Sequence, residues 1–360
     1  MKTVALDAMG GDNAPGVEVE GALAAAKTGQ VRVLLVGDEG ELTAELRRRG
    51  GPRGLPVEVR HASQVITMED HPSAAVRRKT DASMRVAFNL VRDREADAVV
   101  SAGNSGAMLA CGLFVLKRLP GVDRPAILTT FPTRRGNAGL LDMGANVECR
   151  PLHLVQFAVM GACFARMVHA KPRPAVGVLA NGSEDHKGTE LTREASAALR
   201  EHPSREFEYL GYIEGRDIFS GRVDVVVCDG FSGNLVLKVT EGAAETLVDV
   251  LKREINASLL SRLVALGLLP VFRRVKAFMD YAEQGGAPLL GIDGVAIICH
   301  GGSNSKAIKN ALLGGARYAD YGLSGAIHAS LDQHGPLIAS ARGKNEKPAP
   351  AESTQAGTGT

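Results

Sequence analysis

The chain has no surplus charge of either sign. Its 42 lysines and arginines stand against 40 aspartates and glutamates, a formal net charge of +2 over 360 residues. A dedicated nucleic-acid binder usually carries a large basic excess, so no nucleic-acid partner is expected. Cysteine is scarce too: Cys111, Cys149, Cys163, Cys228 and Cys299 are widely spaced, with no C-x-x-C pair. Each lies in or beside an apolar run, which reads as small buried hydrophobes in a reducing compartment, not a disulfide framework or a zinc site. The run Met1–Asp7 is too short for a signal peptide. No uncharged apolar stretch reaches the roughly 18–20 residues of a spanning helix. The motifs G-x-x-x-x-G-K-[ST], H-E-x-x-H and G-x-S-x-G are missing, which disfavours NTPase, zincin and ordinary hydrolase chemistry.

What is present is ordinary globular composition, 45% hydrophobic and 23% charged, with β-rich runs alternating with helical patterns. The runs predict strands over Thr3–Asp7, Val31–Val36, Val57–His61, Ala98–Ser101, Ala126–Thr130, Gly139–Asp142, Ala175–Leu179, Glu208–Gly211, Val223–Cys228 and Val295–His300. Several are continuous Val/Ile/Leu/Ala segments, the pattern of parallel strands covered on both faces. Helices are predicted between them, among others over Val17–Lys27, Ala82–Arg94, Pro151–Val168, Leu191–Glu201 and Asn234–Ala257. This alternation predicts a three-layer α/β/α fold with a mostly parallel sheet. Residues 1–335 are expected to form a single α/β domain. The Lys/Glu/Pro/Ala/Ser/Thr/Gly-rich stretch 341–360 is expected to be a disordered tail.

In open α/β sheets ligands collect at the carboxyl ends of strands, and five such ends here are small, polar and glycine-rich. The first, Asp7 to Pro15, contains Gly11, Asp12 and Asn13. Either acidic or amide side chain could cap a helix beginning near Pro15, and the absence of G-x-G-x-x-G weakens a dinucleotide reading. The second, Ser101 to Ala107, contains Gly103, Asn104, Ser105 and Gly106 ahead of an apolar helix, a setting for an anion on backbone N–H groups. In the third, Asp142 and Asn146 either orient a substrate or cap the helix at Pro151. The fourth, Asn181 to Gly188, places Lys187 among Glu184, Asp185 and His186; it is a solvated loop or a point charge for phosphate. The fifth runs Asp229-Gly230-Phe231-Ser232-Gly233-Asn234, and His300-Gly301-Gly302-Ser303 repeats the pattern near the C-terminus. Together these ends predict one phosphate-accommodating cleft.

The segments VALDAMGGDNAP, DAVVSAGNSGA, DRPAI, LLDMGANVECRPLHLVQFAVMG, the N-G-E-K-G elements of NGSEDHKGTELT, DVVVCDGFSGNLVLK, YAEQGGAPLLGIDGV and HGGSNSKAIKNA closely resemble the bacterial acyl-acyl-carrier-protein:phosphate acyltransferases of phospholipid synthesis. The likeness runs from about residue 3 to residue 330. It implies a fold similar to the isocitrate and isopropylmalate dehydrogenase group, a homodimer, and no metal or organic cofactor. It also implies acyl carrier protein and inorganic phosphate as partners, a downstream membrane acyltransferase, and a cytoplasmic protein touching the inner face of the cell membrane peripherally. Ser105 stands where the family usually has Thr, and Ser303-Asn304-Ser305 replaces a Ser-Ser-Asp run.

The implied reaction is attack of a phosphate oxygen on a thioester carbonyl. Phosphate dianion is already nucleophilic, so direct transfer without an acyl-enzyme is expected, with proximity and oxyanion stabilisation supplied by the protein. Lys187, Asp229 and Asn234 are the catalytic candidates. Lys187 would bind phosphate or the developing charge, and Asp229 would orient it or another donor. Gly11, Asp12, Asn13, Gly103–Gly106, Asp142, Asn146, Asn181, Ser232, Gly233, His300 and Ser303 are the binding candidates. Residues 256–280 are read as a projecting amphipathic segment in which Arg262, Arg273, Arg274 and Lys276 flank Leu263, Leu266 and Phe272. Such a face suits acidic carrier protein or a membrane interface, and Pro270 is expected to kink or end its helix. A coenzyme A-dependent phosphate acetyl- or butyryltransferase, a nicotinamide-dependent dehydrogenase on the same architecture, and a non-enzymatic membrane adaptor are the competing readings.

Overall fold

The computed structural model describes residues 1–258, 261–262, 264–265, 267–272 and 285–342. Valine- and alanine-rich runs form eleven strands of one sheet: β1 Lys2–Asp7, β2 Val31–Gly37, β3 Val57–His61, β4 Ala98–Ser101, β5 Ala126–Thr133, β6 Gly136–Leu141, β7 Ala175–Leu179, β8 Glu208–Ile213, β9 Val225–Val227, β10 Ala287–Leu290 and β11 Val295–Ile298. Between and after them lie α1 Gly16–Ala26, α2 Glu39–Arg48, α3 Pro72–Arg78, α4 Ser83–Arg92, α5 Ser105–Cys111, α6 Pro151–Val168, α7 Glu190–Glu201, α8 Gly230–Asn256, α9 Ser305–Asp320, α10 Leu323–Gln333 and α11 Gly335–Ser340.

Strand periodicity sorts the core into layers, because successive side chains point to opposite faces. Val4 and Leu6 of β1, with Val33 and Leu35 of β2, pack against Val19 and Ala22 of α1 and Ile308 and Leu312 of α9. The intervening Ala5 and Leu34 pack on the other face against Met84, Ala87 and Phe88 of α4 and Met108 of α5. Farther along the sheet, Phe131, Leu140 and Val226 form a separate cluster on that second face. The result is the expected α/β/α sandwich. Helix α6 is long and apolar enough to cross a membrane, yet 78% of it is buried inside the protein, as a core helix is.

The strand order is β3-β2-β1-β4-β11-β10-β5-β6-β9-β7-β8. Strands β3, β2, β1, β4 and β11 run parallel, and so do β6, β9, β7 and β8. The pairs β11–β10, β10–β5 and β5–β6 are antiparallel. Three reversals separate the two parallel blocks, so the blocks run in opposite directions. Their carboxyl ends therefore lie on opposite edges of the sheet.

Strand β10 is absent from the sequence-based expectation. Pro288 has no N–H for the ladder, and two glycines at positive φ, Gly285 (+76°) and Gly286 (+129°), precede the run. Both features demote a strand. Helix α8 begins at Gly230, four residues before the expected start, because Asp229 caps it. Neither Asp12 nor Asn13 caps α1, whose N-cap is Pro15 without a side-chain bond. Residues 267–272 are helical through Pro270, so the proline does not end that helix; it withholds one N–H and the residues after it keep theirs. Leu263, Leu266, Arg273, Arg274, Lys276 and the tail from residue 343 onward lie outside the described residues.

Candidate active site

Three of the glycine-rich strand ends meet. Asp7 of β1 is paired in register with Ser101 of β4, which is paired in turn with Ile298 of β11. The Ser101 hydroxyl donates to Asp7 Oδ2 at 2.6 Å, and Gly103 N–H donates to Ser101 Oγ at 3.0 Å. A Cβ on Gly10 would stand 2.9 Å from Gly103 Cα, so both positions need glycine for the loops to touch. Asp12 N–H donates to the Gly301 carbonyl at 3.0 Å, which ties the third loop in.

Asn104 is a clamp. Its Oδ1 accepts from Ala107 N–H at 3.1 Å, and its Nδ2 reaches the carbonyls of Thr67, Met68 and Asp70 at 3.3 Å each. The 67–70 loop is thereby held over this edge, with Met68 Cε against Gly301. Ser105, Asp12, Asn13 and His300 are exposed, and Gly11 and Gly106 are half-buried. His300 Nδ1 accepts from Gly302 N–H at 3.1 Å. Ser303 is buried beneath His300, whose carbonyl its N–H reaches at 2.9 Å.

The other sequence-predicted residues lie on the opposite edge. Asp142 is fully buried and saturated: Oδ1 accepts from the backbone of Ile127 (3.0 Å) and Ala145 (3.1 Å). Its Oδ2 accepts the backbone N–H and side-chain Nδ2 of Asn146 (2.6 and 2.9 Å). Burial holds its carboxyl above the usual carboxylate range against those donors. Asn146 also donates to the Pro125 carbonyl at 2.8 Å, and its own carbonyl accepts from Gly230 N–H at 2.7 Å. Asp229 spends one oxygen on Ser232 N–H (2.8 Å) and the other on the Ser232 hydroxyl (2.9 Å). Asp142, Asn146, Asp229 and Ser232 thus form a structural knot. Among the described residues Asp229 makes no bond to Lys187. Asn234 is exposed on the second turn of α8 beside Gly144.

One strand further, Asn181 Oδ1 accepts from Gly188 N–H at 2.9 Å and shapes the loop that carries Lys187. The Lys187 stem packs over Gly182. Its ammonium makes no ion pair or hydrogen bond among the described residues. Between β4 and β6 stand three strands, about 19 Å at the usual inter-strand spacing, and the strand ends point opposite ways. Strand direction therefore does not bring the strand ends expected to share one cleft to a single edge of the sheet within this chain. Gly11, Asp12, Asn13, Gly103–Gly106, His300 and Ser303 gather at one edge. Lys187, Asn181, Asp142, Asn146, Asp229, Ser232, Gly233 and Asn234 lie along the other.

Sequence reasoning missed Glu18. It sits in the first turn of α1, is 2% exposed, and has an unpartnered Oε2. Burial, aided by the charges of Asp7 and Asp12, raises its pKa to about 7. The sequence shows Glu18 and Glu20 as equivalent acids, and only the fold turns one inward while Glu20 pairs with Arg49 at 3.1 Å. Cys111, Cys163, Cys228 and Cys299 are buried, whereas Cys149 is half-buried. Burial pushes the Cys149 thiol up to about 12, so none of them is a ready nucleophile.

The architecture is that of the phosphotransacetylases and their dehydrogenase-like relatives. A phosphotransacetylase from Streptococcus pyogenes superposes with a TM-score of 0.56 at 16% identity, covering 89% of this chain and 94% of that one. A 4-hydroxythreonine-4-phosphate dehydrogenase from Klebsiella pneumoniae gives 0.51 at 14% identity, covering 88% and 100%. These likenesses define the fold. The chain itself belongs to the fatty acid synthesis protein family, whose model matches residues 2–324. It is 57% identical over 329 residues to a phosphate acyltransferase of Geobacter sulfurreducens, covering 91% of this chain and 94% of that protein. A phosphate acyltransferase of Citrifermentans bemidjiense is 55% identical over 352 residues, 98% of each.

Proposed function

We propose that this protein transfers a fatty acyl group from acyl-acyl carrier protein to inorganic phosphate, giving acyl phosphate for phosphatidic acid and phospholipid synthesis. The observation that carries this reading is 57% identity, over nearly the whole of both chains, with a protein named phosphate acyltransferase. A phosphate oxygen attacks the thioester carbonyl carbon, the C–S bond breaks, and the carrier thiolate leaves and takes a proton. No protein nucleophile is needed, which agrees with the buried or high-pKa thiols and with a Ser232 hydroxyl already committed to Asp229.

Phosphate is placed at the edge where the β1, β4 and β11 loops touch, because glycines there let backbone approach a ligand closely. That edge also carries the Asp12 carboxylate and the buried carboxyl groups of Asp7 and Glu18, so a dianion there requires cationic compensation. In a homodimer, Lys187 from one copy supplies that charge to the loops of the other. Helix α8 supports dimerisation: only Gly230 and Gly233 of its 27 residues are buried, and Phe231, Leu235 and Val239 expose apolar surface at four-residue spacing. Leu235→Asp together with Val239→Asp is expected to halve the mass in solution; an unchanged mass removes this interface.

The carrier protein and the inner face of the cell membrane are assigned to the segment around residues 256–280. There Arg262 is exposed, Phe272 half-buried, and Leu268, Leu269 and Val271 exposed. Reversing the charges of Arg273 and Arg274 together is expected to weaken one or both attachments. The product would pass to a membrane acyltransferase, since acyl phosphate is a reactive mixed anhydride. The deciding experiment incubates purified protein with acyl-acyl carrier protein and phosphate. Acyl phosphate should form, faster than from the coenzyme A thioester. Its absence refutes the function, and preference for coenzyme A moves it to the acetyl- or butyryltransferase class.

A further inference from the structure

We propose that Glu18 is a positioning residue for phosphate: in its neutral form its carboxyl wedges beneath the Gly10–Asn13 turn and sets that turn for the ligand, and ionisation disables it. The inference rests on placing phosphate at the β1/β4/β11 edge. Four observations support it. A Cβ on Gly11 would collide with Glu18 Oε1, so the carboxyl lies directly under the turn, with Ala102 beside it. Glu18 is 2% exposed, and its Oε2 has no partner. A buried ionised oxygen left without a donor is costly. The neighbouring carboxyls favour neutrality, against its own backbone N–H, which favours the ionised form.

From the end of β1 and the loop after it, Asp7 and Asp12 disfavour a negative charge on Glu18, and burial holds the Asp7 carboxyl itself above the usual carboxylate range. From the end of β11, Cys299 is neutral, its own thiol pushed up to about 12. From α2, Glu45 and Arg49 face Gly16 at the start of α1 but satisfy each other at 2.8 Å. From α9, Ile308 and the Ser305 carbonyl meet Gly21, and neither can titrate. Among the described residues, the charges that act on the Glu18 carboxyl are those of Asp7 and Asp12. With a pKa of about 7, Glu18 changes state between pH 6 and pH 8. An ionised Glu18 adds a third carboxylate under a site meant for a dianion, and repels ligand and turn together.

The test compares the parent with Glu18→Gln, which keeps the shape and cannot ionise. The phosphate KM is measured at pH 6 and pH 8 with saturating acyl-acyl carrier protein. Phosphate's own ionisation is common to both proteins and cancels in their ratio. If only the neutral form is competent, about one parent molecule in eleven binds at pH 8. Its KM should then exceed that of Glu18→Gln about tenfold at pH 8 and match it at pH 6. Thermal midpoints at both pH values show that each variant is folded. Asp12→Asn serves as the control for the site itself, since removing an exposed charge from the turn should lower the phosphate KM severalfold at both pH values. A shift in Asp12→Asn with an unchanged KM ratio in Glu18→Gln overturns the Glu18 inference alone. No change in either variant overturns the placement of phosphate and the inference with it.

Discussion

The backbone carbonyl of Asp142 lies so close against Gly233 that no Cβ fits between them. This contact joins the end of β6 to the first turn of α8, and the Asp142 carboxylate stitches the same corner to Ile127, Ala145 and Asn146. The corner is structural, so its substitution should cost stability before chemistry. Asp142→Ala leaves four donors unpaired, each costing about 1–3 kcal/mol when buried. Gly233→Ala forces the helix start away from the strand at roughly 1–3 kcal/mol. Urea unfolding is expected to show a loss of at least ~3 kcal/mol for Asp142→Ala. A midpoint within error of the parent would return Asp142 to the list of substrate-binding residues.

Lys187 presents the opposite case. Its ammonium holds no partner among the described residues, and its loop is shaped by Asn181 and Gly188 instead. Lys187→Ala should therefore leave the unfolding midpoint unchanged while lowering kcat/KM on the order of 100-fold or more, the scale of removing one preorganised charge from a transition state. Near-normal turnover would show that the loop is only a solvated surface.

Ser232 separates direct transfer from a covalent route. Its hydroxyl donates to Asp229 at 2.9 Å and its N–H to the other oxygen at 2.8 Å. Ser232→Ala keeps the N–H bond, so helix α8 should lose about 1 kcal/mol or less, and activity should fall only modestly. Mass spectrometry of the protein quenched during turnover should find no acylated serine. An acyl adduct on Ser232 would replace the ternary-complex mechanism with a two-step one.

Fold class was legible because local chemistry and burial agree. Pro151 opens α6 at its first position and a largely apolar run, interrupted by His153, Gln156 and Arg166, carries it to Val168, so both ends match the expectation. Parallel strands such as Ala98–Ser101 announce themselves by having no polar face. Strand β10 did not, since Pro288 and the preceding glycines disguise it. That omission matters because β10 is one of the strands through which the sheet reverses. Without those reversals, every strand end seems to share one edge, and Lys187 and Asp229 seem to join Gly103. Strand direction depends on pairings between residues more than a hundred positions apart, such as Leu290 with Ala126, and no local pattern encodes them. Glu18 was hidden for a related reason. Its burial depends on the Gly11 turn above it and on β4 and β11 nearby, whereas its helix neighbour Glu20 faces solvent.

The buried Glu18 carboxyl should leave a mark on stability that does not depend on any ligand. Its pKa is 4.5 in the unfolded chain and about 7 in the folded one, so the folded protein holds the proton more tightly. Stability from this group is complete below pH 4.5, declines as pH rises toward 7, and is level above that. A shift of this size corresponds to about 3 kcal/mol lost between the two plateaus. Glu18→Gln cannot ionise and should lack this decline. Denaturant unfolding at pH 5 and pH 8 is expected to give similar values for the two proteins near pH 5 and a more stable Glu18→Gln at pH 8. Parallel pH profiles would mean that Glu18 titrates as an ordinary surface acid. The neutral wedge beneath the Gly10–Asn13 turn would then have no physical basis, whatever the kinetics of phosphate.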